Sequence, residues 1–128
     1  MSNSITTEEV AQRLTSFSYI VTPEDSTDLA FAVERATLTI CNDCNLAELP
    51  DGLKPTAIDM AAGLFLYAMK QAGRLNIEGL NLEAIKSVAE GDTTVNFTES
   101  DTQAQRFDKL LSSMLHPTGL ARYRRIVW

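Results

Sequence analysis

Two cysteines three residues apart, Cys41-x-x-Cys44, have the types and spacing of a redox dithiol or of half a zinc site. Zinc takes four ligands. No second cysteine pair accompanies them, and the lone histidine, His116, is far away in the chain. Both cysteines fall near the expected end of a helix, where the negative end of the dipole works against a thiolate. They therefore read as ordinary reduced cysteines acting as small apolar side chains. His116, directly before Pro117, reads as a helix-end or solvated residue. The carboxylates cluster as Glu8-Glu9, Glu24-Asp25-Asp28 and Asp43-Glu48-Asp51. These are places where helix starts and solvation account for them, and no nucleophile, base and orienting group can be named together. Glu90-Gly91-Asp92 lacks both a phosphate-loop lysine and a calcium-loop ligand series, so it reads as turn chemistry. No catalytic residue, metal site or cofactor site is expected.

The remaining cluster is Arg122-Tyr123-Arg124-Arg125-Ile126-Val127-Trp128, where basic and aromatic residues interleave. For nucleic acid that mixture supplies phosphate contacts and stacking. For a protein partner it supplies arginine and aromatics, the types most enriched at interface hot spots. Its third reading is a strap on its own domain. Three large apolar groups in Ile126-Val127-Trp128 favour burial over free solution.

These residues must be positioned by the elements around them. The stretch from Leu53 to Gln71 repeats Leu53, Ala57, Met60, Ala61, Leu64, Phe65, Ala68 and Met69 at helical spacing. Ile58, Ala62, Leu66 and Tyr67 widen the apolar arc beyond the stripe of a surface helix, which predicts packing on more than one side. Ala61-Ala62-Gly63 leaves room for a second backbone to come close. Upstream, Thr6-x-x-Glu9 has the pattern of a capping box opening a helix to about Phe17, with Val10, Leu14 and Phe17 inward. Thr22-Pro23-Glu24-Asp25 opens a second helix reaching about Asn42 or Cys44, with Leu29, Ala30, Val33, Ala36, Thr37, Ile40 and Cys44 inward. Residues 72–82 read as a loop.

Beyond that loop the period changes. Residues 84–97 read as a β-hairpin with Glu90, Gly91 and Asp92 at its tip and Ile85, Val95 and Phe97 inward. Ser100-x-x-Gln103 is a second capping-box pattern, opening a last helix that buries Phe107, Leu110, Leu111, Met114 and Leu115 before Pro117. The expected fold is mainly α: a small bundle of about four helices with an inserted β-hairpin and an extended C-terminal tail. The expected organisation is one helical domain over residues 1–117 and a docking tail over residues 118–128.

A chain of 128 residues can bury about two thirds of its unfolded surface without metals or disulfides. Its 45% apolar and 22% charged composition is that of a globular protein. No apolar run approaches the roughly 20 residues of a membrane span, and the first residues lack the basic start and apolar middle of a signal peptide. The expectation is a cytoplasmic product with no membrane partner. The net charge of −6 divides unevenly. Residues 1–105 carry 16 acidic and 6 basic groups, whereas residues 106–128 carry 1 and 5. The acidic body argues against a general nucleic-acid binder, and the basic end suits an acidic partner or a neighbouring copy.

The layout resembles the head-to-tail connector (adaptor, or head-completion) family of tailed bacteriophages. The carrying residues are Ile5-Thr-Thr-Glu-Glu-Val10, the helix ending near Ile40 and Asn42, and Leu49-Pro50-Asp-Gly-Leu53-Lys54 leading into Ala57, Met60, Ala61 and Phe65. Ile85-Lys86-Ser-Val-Ala-Glu-Gly91-Asp92-Thr93 and Tyr123-Arg124-Arg125 complete it. The loop between Ala72 and Glu83 and the run Ala61–Gly63 depart from the family's pattern.

The resemblance implies a structural virion protein at the head–tail junction, made in the bacterial cytoplasm. Copies would form a ring beneath the portal protein, commonly dodecameric, that also meets a tail or stopper protein and passes DNA through its lumen without reading it. It also implies that Arg122, Tyr123, Arg124, Arg125, Ile126 and Trp128 dock onto the portal or a neighbouring subunit, and that Glu90, Gly91 and Asp92 make ring contacts or face the lumen. The alternative is a small nucleic-acid-binding protein of phage packaging or regulation that uses the basic tail.

Overall fold

The computed structural model describes residues 5–89, 98 and 100–115. Five α-helices make up this part: α1 (Thr7–Ser16), α2 (Ser26–Cys44), α3 (Lys54–Gln71), α4 (Leu82–Ala89) and α5 (Gln103–Leu115). Short 3-10 turns at Pro23–Asp25, Asp51–Leu53 and Ile77–Gly79 lead into α2, α3 and α4. There is no strand among the described residues.

Local chemistry sets the helix starts. The Thr6 side chain accepts from the Glu9 amide at 3.2 Å, and the Thr6 amide donates to Glu9 Oε1 at 3.0 Å, closing the expected capping box. Ile5 and Val10 flank this cap at the positions of a hydrophobic staple, and both are buried. Before α2, the Thr22 amide donates to Asp25 Oδ2 at 3.0 Å, so the chain makes one 3-10 turn before the α-helix begins at Ser26. The box at α5 lies two residues beyond the expected one. Thr102 and Gln105, not Ser100 and Gln103, exchange side chain for amide, at 2.8 and 3.2 Å.

Three helices end alike. The Tyr19, Leu46 and Arg74 amides donate back to the Leu14, Cys41 and Met69 carbonyls at 3.0, 2.8 and 2.9 Å. The residue before each amide, Ser18, Asn45 or Gly73, is left-handed, with φ of 67°, 55° and 71°. This is the Schellman arrangement, which uses up carbonyls that the helix leaves unpaired.

The central position belongs to α3, which packs against α1, α2 and α5. Ala57, Met60, Ala61, Ala62, Gly63, Phe65, Leu66 and Met69 are all buried on it. The wide apolar arc is thus met on three sides. A Cβ on Gly63 would stand 3.2 Å from Met114 Cβ and 3.5 Å from Leu115 Cδ2, so this is where α5 lies directly against the backbone of α3. Phe107, Leu110, Leu111 and Met114 seal α5 into the same core, while Leu115 is half-buried.

The hairpin reading of residues 84–97 is overturned over its first half. Residues 84–89 belong to α4, not to a strand. Asn81 begins that helix: its Oδ1 accepts from the Ala84 amide at 3.1 Å, and its carbonyl accepts from the Ile85 amide at 3.2 Å. Leu82, Ile85 and Val88 then recur at intervals of three, with Ile85 fully buried and the other two packed at the edge of the core. The described residues therefore form five helices where about four were expected. Residues 90–97, with Val95, Phe97 and the tip Glu90-Gly91-Asp92, lie outside the described residues, as do His116 and the tail at residues 118–128. The loop before α4 is anchored, since the Asn81 amide donates to the Phe17 carbonyl at 2.9 Å and Leu75, Ile77 and Leu80 pack on the core.

Candidate interaction surface

On α2 the core stripe runs through Leu29, Ala32, Ala36, Ile40, Cys41 and Cys44. This stripe is rotated slightly from the expected one, since Ala30 is exposed and Ala32 and Cys41 are buried. The rotation leaves Phe31 pointing outward, 66% exposed, with Leu38 two turns further along at 53%. On α3 the C-terminal half turns Tyr67 outward at 47%, together with Ala68.

Between them lies a groove of about 510 Å³. Ala32 and Phe65 form its floor, Phe31, Leu64, Tyr67 and Ala68 form its apolar walls, and Asp28, Arg35, Gln71 and Ala72 form its rim. Arg74 lies close by, with Nη1 3.9 Å from Asp28 Oδ2, both side chains remaining more than 40% exposed.

Beside the groove, the buried Asp25 carboxylate accepts from the Tyr19 hydroxyl at 3.1 Å as well as from the Thr22 amide. The Tyr19 ring meets Phe65 edge-on, with centroids 5.3 Å apart. Burial first, and the Asp25 charge second, push the Tyr19 phenol up to about 12. Asp25 thereby uses its charge to hold a turn and a ring against the groove floor.

The groove has no nucleophile with a base beside it. Its walls are apolar and aromatic and its rim carries one charge of each sign at Asp28 and Arg35, which is the composition of a surface that binds an apolar segment. Among the described residues no group of three His, Cys, Asp or Glu side chains is placed to hold a metal ion, and no helix is long and apolar enough to cross a membrane. Cys41 and Cys44 are both buried and form no disulfide, and burial pushes the Cys41 thiol up, which suits packing rather than thiolate chemistry. The Arg13–Asp59 pair, Nε to Oδ1 at 2.9 Å, ties α1 to α3. Burial raises the Asp59 carboxyl despite that arginine.

The sequence reading did not single out this groove. Its signal was present in two places: Tyr67 lies outside the main apolar repeat of α3, and Phe31 lies off the stripe through Leu29, Val33, Ala36 and Ile40. The predicted docking residues Arg122, Tyr123, Arg124, Arg125, Ile126 and Trp128, and the predicted tip residues Glu90, Gly91 and Asp92, lie outside the described residues. No protein-family model matches the chain, nor does any curated protein or solved structure.

Proposed function

We propose that this chain is a non-enzymatic structural protein of a tailed bacteriophage, a head-to-tail connector whose copies form a ring between the portal and the tail. The carrying observation is the order of its sequence features along a helical body: the capped first helix, the proline-led second helix, and the Leu49–Lys54 turn feeding a central helix. The charge distribution supports the reading. A ring needs two different patches on each subunit that meet head to tail, and an acidic body with a basic end supplies them. An acidic wall also suits a channel through which DNA passes without being held, because like charges repel. In this reading Arg122, Tyr123, Arg124, Arg125, Ile126 and Trp128 reach the portal or the adjacent copy in the assembled virion, and a tail or stopper protein covers the opposite rim.

The test is mass by light scattering, first of the protein alone at rising concentration and then with the portal encoded in its own genome. A ring-sized mass, or a monomer that moves onto the portal, is expected. Deleting residues 120–128 should leave a folded monomer that no longer joins the portal, and undiminished portal binding by the deletion would count against the docking role. The interleaved arginines and aromatics of residues 122–128 favour a second reading, a packaging or regulatory protein that binds nucleic acid. That reading requires DNA retention at low salt that falls steeply as salt rises, with Arg122, Arg124 and Arg125 as the contacts.

A further inference from the structure

Asp28, Phe31 and Arg35 follow one another at intervals of three and four on α2, so they share a face of that helix and together form one side of the groove. Asp28 and Arg35 are opposite in charge and lie about 10 Å apart along the helix axis. Phe31 lies midway between them and is 66% exposed. A two-fold axis at right angles to α2, passing beside Phe31, sets this helix antiparallel to that of a second copy. Asp28 and Arg35 are equidistant from such an axis, so Asp28 of each copy comes level with Arg35 of the other. Each Phe31 comes to the mouth of the opposite groove, where Tyr67 and Ala68 form the exposed wall. The face is therefore complementary to itself, which is what an isologous contact requires. Both charges are open to a second partner. Among the described residues Arg35 makes no ion pair, and Asp28 shares its charge only with Arg74, at 3.9 Å.

We infer that the partner of this groove is a second copy of the chain, bound weakly about that two-fold axis, with Asp28 paired to Arg35 in both directions and the Phe31 rings held between the copies. The exposed parts of Phe31 and Tyr67 come to about 200 Å² per copy, against about 800 Å² per partner in a standard stable interface. The dimer is therefore weak, forming at about 0.1–1 mM, and dilute protein is monomeric. Each copy carries a net charge of −6. At an ionic strength of about 0.15 M that repulsion is screened beyond about 8 Å, whereas the two charge pairs lie in contact. The contact closes at two copies, so it is not the head-to-tail contact of a ring. The inference stands independently of the connector reading, since it concerns the protein alone and no portal enters its test.

Sedimentation equilibrium of the full chain, from about 10 μM to about 1 mM, spans the expected range. The weight-average mass should rise from 14.1 kDa and level off at twice that value. Asp28→Arg sets like charges against each other at both pairs, and so does Arg35→Asp, so each variant alone should self-associate at least about tenfold more weakly. An equimolar mixture of the two variants restores opposite charges at both pairs and should dimerise about as well as the wild type. Phe31→Ala should weaken the dimer by about tenfold as well. Helical circular dichroism should be unchanged in all three, and if a charge variant loses that signal, Phe31→Ala carries the test. A wild-type mass that stays at one copy, or rises past two, would overturn the inference. So would self-association that the substitutions leave unchanged, or a mixture of folded charge variants that remains monomeric.

Discussion

Replacing Gly63 with alanine adds one methyl group where α5 comes closest to α3. Carbon atoms are best separated by about 3.5–4.0 Å. Leu115 Cδ2, at 3.5 Å, would be in ordinary contact, and it lies at the end of a side chain that can turn away. Met114 Cβ, at 3.2 Å, would be a few tenths of an ångström too near, and it is fixed to the backbone of α5. Relief requires the end of α5 to withdraw, although Phe107, Leu110 and Leu111 hold the rest of that helix in the core. Overpacking costs about 1–3 kcal/mol. Met114 is one residue from the end of α5, where a helix yields most readily, so the lower half of that range applies. Against it stands the gain of about 1 kcal/mol for replacing a helical glycine by alanine.

The expected net is therefore a loss of about 0.5 kcal/mol. With a urea slope of about 1–3 kcal/mol per molar, the midpoint should fall by a few tenths of a molar at constant slope. Gly63→Val, bulkier and a poorer helix former, should lose about 2–3 kcal/mol. Urea titration followed by circular dichroism measures both. A Gly63→Ala protein stabilised by the full propensity difference would refute the close approach of α5.

Further outcomes follow from the helix ends and the titrating groups. Ser18→Gly should stabilise: a left-handed residue bearing a side chain costs about 1–2 kcal/mol, of which the freer unfolded glycine takes back about 0.4–1 kcal/mol. The melting temperature should rise by about 2–4 °C. Gly73→Ala, at φ +71° in open space, should move it by a similar amount in the opposite direction. An absorbance titration should show one phenol ionising near pH 12, absent in Tyr19→Phe. Because that value is raised, the contribution of Tyr19 to stability is whole below the unfolded value of about 10 and is lost as pH climbs from there toward 12. The Asp101 carboxyl, held down to about 2 by the Lys109 ammonium at 2.6 Å and then by the Thr98 amide, behaves inversely. Its contribution is whole above about pH 3.9 and fades as pH falls toward 2, and Lys109→Met should raise its titration midpoint in carbon-detected magnetic resonance.

Much of the body was legible because its signals are local. Thr6-x-x-Glu9 is a cap whose two hydrogen bonds lie within four residues, and Val10, Leu14 and Phe17 turn inward as their spacing demands. The breadth of the α3 arc and the small residues at Ala61–Gly63 together announced a helix crowded on several sides, and Gly63 does lie under Met114. The error at residues 84–89 has an equally local cause. Gly91-Asp92 has the composition of a hairpin turn, and a turn there implies strands on its flanks. Beginning the segment at Ala84 cut off the Asn81 cap and Leu82, the two residues that reveal a helical period with Ile85 and Val88. Asn45 and Ser18 were silent for a different reason, since nothing in their types demands the left-handed turn that the helix-end carbonyls impose. The groove was invisible because it depends on how far α2 rotates against α3, which is set by packing of residues distant in sequence.

That rotation connects the fold to its candidate surface. An apolar arc as wide as that of α3 requires neighbours around most of its circumference, and the described helices supply three: α1, α2 and α5. Toward the N-terminal half the arc is covered, with Leu53, Ala57 and Met60 buried and Ile58 half-buried. Toward the C-terminal half it does not, and Tyr67 and Ala68 open onto the space beside Phe31. The exposed aromatics are thus not scattered surface residues of the kind every protein carries. They border the unfilled sector of the helix around which the core is built, and charges of both signs rim it. A partner that binds here must bring large apolar side chains, and a body built this way gains stability whenever one does.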